Sequence, residues 1–291
     1  MTEIRQWTVP ARVAVLGEHL APVGGPAVHL PVDRGLRVKA RPRDDADLHL
    51  WAHGGHSSRP TPGPFGADVV VESTLPPGAL FDDTLDRALA LVFEASAGAT
   101  PAPAAAPAPS PVPAWHEDGF ALVVVETHVS HPISDAERAK RIEESTAAAT
   151  ALGLERLADI DLAGLVGLTD PVQAQRARHV LTETTRVRAA DKVLRTGAWE
   201  QFGTMLSSSH ESLRDDWAIS SVELDLVVAT ALENGALGAR LTGGGFGGAA
   251  IALVPIDRMT GLRDAVLAGF AARQWAAPDL FSVRPVPDSA S

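Results

Sequence analysis

Five glycines fall within six positions near the end of the chain, in the segment Leu241-Thr-Gly-Gly-Gly-Phe-Gly-Gly248. Because glycine lacks a Cβ atom, such a loop lets the backbone pass close to a ligand or to another loop. Apolar runs flank the glycines, so Gly238 to Pro255 is predicted to form a strand, a glycine loop and a second strand. The loop residues are Gly243, Gly244, Gly245, Gly247 and Gly248. Ligand binding and tight packing between strands both stay open as their role.

The opening third of the chain is predicted to be rich in β-structure. Short apolar runs predict strands at Arg12 to Gly17, Ala27 to Leu30, Leu36 to Ala40 and Asp68 to Glu72. Pro60 to Gly66 is a turn-rich break before the last of these strands.

A proline-rich stretch follows the first predicted helix. In Thr84 to Phe93 the apolar side chains fall on one helical stripe. Beyond it, six prolines lie between Pro101 and Pro113. Each interior proline would remove an amide donor and clash with the preceding turn, so this stretch is not a continuous helix. We interpret residues 97–114 as an extended linker.

The rest of the chain alternates helical and strand patterns. Phe120 to Glu126 reads as a strand, and helices are expected at Ser134 to Leu152, from Pro171 with Asp170 as its cap, and at Asp257 to Trp275. Phe281 to Val286 is expected to be a closing strand.

Charge and composition exclude several classes of protein. Among the 291 residues, 25 are basic and 36 are acidic, and the net charge of −11 opposes binding to nucleic acid or to anionic membranes. The absence of cysteine excludes disulfides and thiolate metal sites. No apolar run approaches the roughly 20 residues of a membrane span, and the start does not resemble a signal peptide. We therefore expect a cytoplasmic protein that binds neither nucleic acid nor membranes.

Two glycine-rich segments carry a resemblance to a known family. Val9-Pro-Ala-Arg-Val-Ala-Val-Leu-Gly-Glu-His-Leu-Ala-Pro-Val-Gly-Gly25 resembles the galactokinase signature PGRVNLIGEHTDYNGG, and Leu241 to Gly248 resembles the third motif of the GHMP kinases. Three further segments are similar to galactokinase stretches: Arg176 to Glu183, Ser209 to Asp216, and Ser220 to Asp225.

The resemblance implies an α+β fold with the two domains of the GHMP kinases. These are an N-terminal domain like domain 2 of ribosomal protein S5 and a ferredoxin-like C-terminal domain. The N-terminal domain, residues 1–115, would be truncated by a deletion and end in the Ala/Pro-rich linker at 97–114. Residues 116–291 would hold the remainder of the fold, including the C-terminal domain.

The same resemblance assigns roles to residues of the first segment. Arg12 matches the arginine that stabilises charge during phosphoryl transfer, with a surface ion pair as the other interpretation. Glu18 and His19 match a pair that binds sugar hydroxyls, and they also have the option of pairing with each other or with backbone. Gly24 and Gly25 complete the expected sugar-binding segment.

Several family positions have changed in this chain. The sugar-binding aspartate is replaced by Ala21, and Pro22-Val23 stands where the family has Tyr-Asn. A sugar-contacting tyrosine aligns with Glu137, which we interpret instead as part of a capping box with Ser134.

The phosphate-binding motif is the most altered. Gly78 keeps its outline, but Phe81-Asp82-Asp83 replaces the serine run of the family. Acidic groups oppose a triphosphate, and either aspartate would also cap the helix that follows. The family element that carries the proposed catalytic aspartate has no counterpart. The sequence thus predicts a degenerate galactokinase that acts as a sugar-binding or regulatory pseudokinase, with a protein partner possible and no cofactor expected.

Two alternatives stay open. One is an active sugar kinase that uses Mg-ATP through an altered nucleotide loop, with Asp215 or Asp216 supplying the acid. The other is a non-catalytic partner subunit of an active kinase. The histidines at 49, 53 and 56 suggest a metal at first sight, but we expect them to lie in a polar loop and expect no metal site.

Overall fold

A computed structural model describes residues 4–52, 55–60, 66–75, 84–96, 112–130 and 134–287. The chain forms two compact units, each built from separate segments. The first comprises Met1–Arg12, Pro31–Val112 and Pro285–Ser291, and the second comprises Val13–Leu30 and Pro113–Arg284. The boundary predicted after residue 115 would place Val13–Leu30 in the N-terminal domain, whereas these residues belong to the second compact unit.

The first sheet has five strands in the order β1-β2-β5-β3-β4. Its strands are β1 (Arg5–Leu16), β2 (Val28–Arg43), β3 (Asp47–Ala52), β4 (Gly55–Pro60) and β5 (Gly66–Ser73). β5 is antiparallel to β2 and parallel to β3, and β3 and β4 form an antiparallel pair.

Helix α1 (Thr84–Ser96) and the first sheet share an apolar core. Ala88, Leu89 and Val92 of the helix are buried among alternate residues of β2, β3 and β5. Leu85 is partly buried against the same core. The helical stripe predicted from sequence is therefore the buried face.

The second sheet has four strands in the order β7-β8-β6-β9. They are β6 (Phe120–Ser130), β7 (Gly238–Thr242), β8 (Gly247–Pro255) and β9 (Asp279–Val283), and all neighbours are antiparallel. Every residue of β7 is buried, and β8 is buried except at Gly248 and Pro255. The predicted strand, glycine loop and strand are confirmed.

Six helices complete the second unit among the described residues. They are α2 (Ser134–Ala151), α3 (Leu162–Gly167), α4 (Pro171–Thr196), α5 (Trp199–Asp215), α6 (Val222–Glu233) and α7 (Met259–Ala272). Short 3-10 turns occupy Ala21–Val23, Leu157–Asp159 and Ile256–Arg258. Helix α4 packs on α2 and α5, while α5 and α6 cover β7. The Asp170 side chain accepts from the Gln173 amide, which confirms the predicted cap.

Two predictions about the first sheet are wrong. Ala27 to Leu30 and Leu36 to Ala40 belong to one long strand, β2, rather than to two short ones. The strand continues because Gly35 stays paired: its carbonyl accepts from the Thr74 amide. A Cβ at Gly35 would also lie 2.1 Å from the Val9 carbonyl, so only glycine fits there. The segment around His49 and His56 is a β-hairpin, not a polar loop.

Some predictions fall outside the described residues. They include Gly78, Phe81, Asp82, Asp83, His53 and the linker as far as residue 111. The side chain of Ser134 is also outside them, so its capping box with Glu137 stays a prediction. Glu137 accepts a hydrogen bond from Arg141. No helix in the described part of the chain is long and apolar enough to cross a membrane.

Candidate functional site

The candidate site begins where β1 ends. Gly17 has a left-handed backbone with φ of 80°, and a Cβ there would lie 2.4 Å from the Pro26 carbonyl. This turn takes the chain out of the strand and presents Glu18 and His19. The Gly17 amide donates to Glu183 Oε1 at 2.9 Å, so the turn is fixed to α4. Thr242 at the end of β7 donates to the Ala14 carbonyl at 2.7 Å and holds the same stretch.

Glu18 forms a buried ion pair with Arg240 of β7. Arg240 Nη2 donates to Glu18 Oε1 at 2.8 Å, and the two side chains are 0% and 6% exposed, in the order Arg240 and Glu18. Burial of two charges is costly unless they pair and fill their other hydrogen bonds. The pair therefore meets the first condition. The partner of Glu18 Oε1 is the side chain of Arg240, which is neither His19 nor a backbone group.

The second condition, that the other hydrogen bonds of both charges are filled, is not met among the described residues. Buried polar atoms lack a hydrogen-bond partner among the described residues at Glu18 Oε2, His19 Nε2, Arg240 Nε and Arg240 Nη1. An unsatisfied buried donor or acceptor costs about 1–3 kcal/mol, and more when it is charged. Donors and acceptors gathered in this way match a ligand rich in hydroxyl groups, which donate and accept at once.

Glu183 accepts hydrogen bonds from three residues near this pair. Its Oε1 accepts from Ser209 as well as from Gly17, and Arg186 Nε donates to Oε2 at 2.7 Å. Burial opposes ionisation of Glu183, but neighbouring positive charge, led by Arg240, outweighs it and lowers its pKa to about 2. Glu183 is therefore a carboxylate at neutral pH, and it balances the charge of the arginines.

Three buried histidines lie in the same unit, and burial lowers the pKa of each. The pKa of His179 falls to about 3 and that of His210 to about 4, while the pKa of His19 is lowered against the opposing effect of Glu18. All three are neutral at pH 7. The Leu241 amide donates to His210 Nδ1 at 3.3 Å, which leaves the proton on Nε2, 3.2 Å from Asp225 Oδ1.

The galactokinase-like stretches on α4 and α5 supply this buried network. His179 Nδ1 lies 3.0 Å from Ser212 Oγ, and Ser212 in turn donates to Asp216. Asp215 accepts from Arg214, which lowers the pKa of its carboxyl. Both aspartates are therefore engaged in protein contacts, so neither has the features of a free catalytic acid or base.

The glycine loop between β7 and β8 combines packing with open backbone. A Cβ at Gly245 would lie 2.7 Å from the Ile219 carbonyl, and one at Gly247 would lie 2.2 Å from the Val129 carbonyl. Gly243 and Gly248 have left-handed φ values of 82° and 76°, and nothing lies within 4 Å of a Cβ at either. Gly244 accepts from Arg138 through its carbonyl. Tight packing thus explains two of the five glycines.

Gly24 and Gly25 form the end of the turn after β1. The Gly24 amide donates to the Ala21 carbonyl, and the Gly25 amide donates to the Leu20 carbonyl. Gly24 has a left-handed φ of 80°, and a Cβ at Gly25 would lie 2.7 Å from Leu20 Cβ. Both glycines are thus required by a tight turn, whatever they bind.

The predicted site residues belong to both units. Glu18, His19, Gly24, Gly25 and the loop glycines belong to the second unit, and Arg12 belongs to the first and is half-buried in β1. Arg240 and Glu183 were not predicted from sequence. A charged residue between Ala239 and Leu241 in an otherwise apolar strand was the sequence signal for Arg240.

Among the described residues no group of three or more His, Asp or Glu side chains is arranged to hold a metal.

The fold is that of the GHMP kinases. Residues 190–277 match the family described as GHMP kinases C terminal. The galactokinase of Lactococcus lactis, solved in complex with galactose, superposes with a TM-score of 0.84 at 20% identity, covering 99% of this chain and 95% of that one. Mevalonate kinase from L. major, in complex with R-mevalonate, gives a TM-score of 0.59 at 17% identity, covering 99% of this chain and 100% of that one.

Several galactokinases are similar to this chain in sequence. The Streptomyces coelicolor galactokinase is 44% identical over 173 residues, which cover 58% of this chain and 45% of that protein. The Mycobacterium tuberculosis galactokinase is 42% identical over 169 residues, which cover 54% of this chain and 47% of that protein. The chain thus matches less than half the length of these relatives. The chain is therefore similar to galactokinases in sequence and has the fold of the GHMP kinases.

Proposed function

We propose that this chain is a galactokinase-like protein that binds a hexose through Glu18, His19 and Arg240 and does not transfer phosphate from ATP. The observation that carries the proposal is the set of buried polar atoms on these three residues that lack a partner among the described residues. A hexose offers hydroxyl groups that donate to Glu18 Oε2 and accept from Arg240. Galactose is the first candidate because a similar structure is that of a galactokinase with galactose bound.

Arg240 has a defined part in this proposal. It holds Glu18 through one nitrogen, at 2.8 Å, and keeps Nε and Nη1 for other acceptors. Glu183 and His19 are close enough to interact electrostatically with these charges. A neutral ligand fits this balanced site better than an anionic one, because no uncompensated positive charge is gathered there.

Loss of phosphoryl transfer rests on the sequence. Phe81-Asp82-Asp83 stands where the family has the serine run of its phosphate loop, and no counterpart of the catalytic aspartate element was found. One like charge about 4 Å from a phosphate costs about 4 kcal/mol at an effective dielectric constant of 20. Two adjacent carboxylates therefore oppose a bound triphosphate strongly.

The active-kinase alternative rests on Arg12 and on the extent of the fold match. It requires Mg-ATP to bind and a hexose to be phosphorylated. The partner-subunit alternative requires neither. These three functions separate cleanly in a binding experiment.

The test is thermal unfolding with D-galactose, with other hexoses, and with Mg-ATP, beside an intact galactokinase as positive control. A ligand at 100 times its Kd adds about 2.7 kcal/mol to the free energy of unfolding. We expect a hexose to raise the melting temperature and Mg-ATP to leave it unchanged. A shift with Mg-ATP, followed by sugar phosphate formation, would establish the active-kinase alternative, and no shift with any hexose would favour the partner subunit.

A further inference from the structure

The hairpin of β3 and β4 carries three rings on one face. His49 and Trp51 lie on β3, and the register pairs Trp51 with His56 and His49 with Ser58 on β4. Paired residues share a face of the sheet, and alternate residues of a strand do so too. Leu48 and Leu50, which alternate with His49 and Trp51 along β3, pack on the core of the first unit. The ring face is therefore the one turned away from that core.

The three rings contact one another. The centroid of His56 lies 4.7 Å from Trp51 and 5.5 Å from His49. His49 Nδ1 and His56 Nε2 approach to 3.3 Å. The two nitrogens that converge come from different strands, so the hairpin itself sets their distance.

We propose that His49 and His56 form a two-histidine site for a divalent transition metal, with zinc as the best fit. Two nitrogens bound to one zinc at about 2.0–2.1 Å in a tetrahedral arrangement lie about 3.3–3.4 Å apart. The observed separation of 3.3 Å matches this distance. In the neutral tautomers that bind metal, His49 carries its proton on Nε2 and His56 on Nδ1.

The chemistry of the site selects the metal class. Imidazole nitrogens suit zinc, copper and nickel, whereas magnesium and calcium prefer oxygen ligands. Asp45, which interacts electrostatically with His49, is held by Arg43 through two hydrogen bonds. No third histidine or carboxylate joins the pair among the described residues, so solvent completes the coordination shell.

The fluorescence of Trp51 provides a direct measure of metal binding at the site. Its ring lies against His56, and 39% of the residue is exposed. A paramagnetic ion such as Co²⁺ held by the histidines would quench its fluorescence. The visible absorption of Co²⁺ also distinguishes tetrahedral from octahedral coordination.

The test uses Zn²⁺ in calorimetry and Co²⁺ in absorption and fluorescence, with the whole chain. We expect one Zn²⁺ per chain, and His49→Asn and His56→Asn should each weaken its binding. Loss of an outer-shell partner already costs about 10–100-fold in metal affinity, so loss of a ligand should cost at least about tenfold. His29→Asn, at an exposed position on β2, is the matched control and should bind like the wild type.

Trp51→Phe should keep Zn²⁺ affinity and lose most of the quenching by Co²⁺. None of the substituted positions is fully buried, and circular dichroism would verify that each variant is folded. Wild-type affinity in both His49→Asn and His56→Asn would overturn the proposal, as would a wild-type chain that binds no Zn²⁺. In either case the short nitrogen distance would reflect a shared proton between the two rings.

Discussion

Arg240 Nη2 donates to Glu18 Oε1 at 2.8 Å across 222 positions of sequence. This one bond links the turn after the first strand to the strand before the glycine loop. Both side chains are almost fully buried. The pair accordingly makes two contributions, since it joins distant segments of the second unit and gathers polar atoms at the candidate site.

Arg240→Met should destabilise the fold strongly. It leaves Glu18 buried and uncompensated, and removal of one partner of a buried pair costs about 3–5 kcal/mol. Urea unfolding at neutral pH would measure the change. Arg195→Met, which removes an exposed pair with Asp191 on α4, is the control and should have little effect. The double variant Glu18→Met with Arg240→Met should recover most of the loss, and equal effects of Arg240→Met and the control would contradict the buried pair.

Stability should fall in mild acid, in part because of His179. Burial lowers its pKa from 6.5 to about 3 in the folded state. Below pH 6.5 the unfolded chain therefore takes up a proton that the folded chain excludes, so stability is lost as the pH falls towards about 3. The slope for one such group is about 1.4 kcal/mol per pH unit.

His179→Gln should reduce the loss of stability in acid, because glutamine takes up no proton in the unfolded chain. The measurement is the free energy of unfolding from urea titrations at several values between about pH 7 and about pH 4. His29→Gln, an exposed histidine, is the control and should keep the wild-type slope. A slope in His179→Gln equal to that of the wild type would mean that His179 is not excluded from protonation in the fold.

Neighbouring glycines of the loop should differ in their tolerance of alanine. Gly247 and Gly248 both have positive φ, at 112° and 76°. At Gly247 a Cβ would lie 2.2 Å from the Val129 carbonyl, whereas nothing lies within 4 Å at Gly248. Gly248→Ala should cost about 1–2 kcal/mol for the left-handed backbone alone, and Gly247→Ala should cost clearly more. Thermal unfolding of the two variants checks this, and equal losses would contradict the close approach.

Sequence patterns predicted the elements that carry a continuous apolar run or an apolar stripe. The β7–loop–β8 unit was predicted from the apolar runs on either side of its glycines, and the buried stripe of α1 was predicted from the helical spacing of its apolar residues. β3 and β4 were missed, since their polar and histidine residues hide the period of the strand. The break expected within β2 was also wrong, because the pairing of Gly35 depends on partners in other strands.

The candidate site was predicted only in part. Glu18 and His19 were found through the resemblance, but the role of Glu18 depends on Arg240, which lies far away in sequence. Glu183 was missed for the same reason, because its partners Gly17 and Ser209 come from other elements. Long-range polar contacts of this kind leave no periodic pattern in the sequence.

The most direct test of the account is a calorimetric titration of the chain with D-galactose and a panel of related hexoses. Glu18→Gln keeps the size of the side chain and removes its charge, and Glu233→Gln, at an exposed position on α6, is the matched control. We expect saturable binding of at least one hexose by the wild type and by Glu233→Gln, and weaker binding by Glu18→Gln. Absence of heat with every hexose, or full affinity in Glu18→Gln, would contradict it.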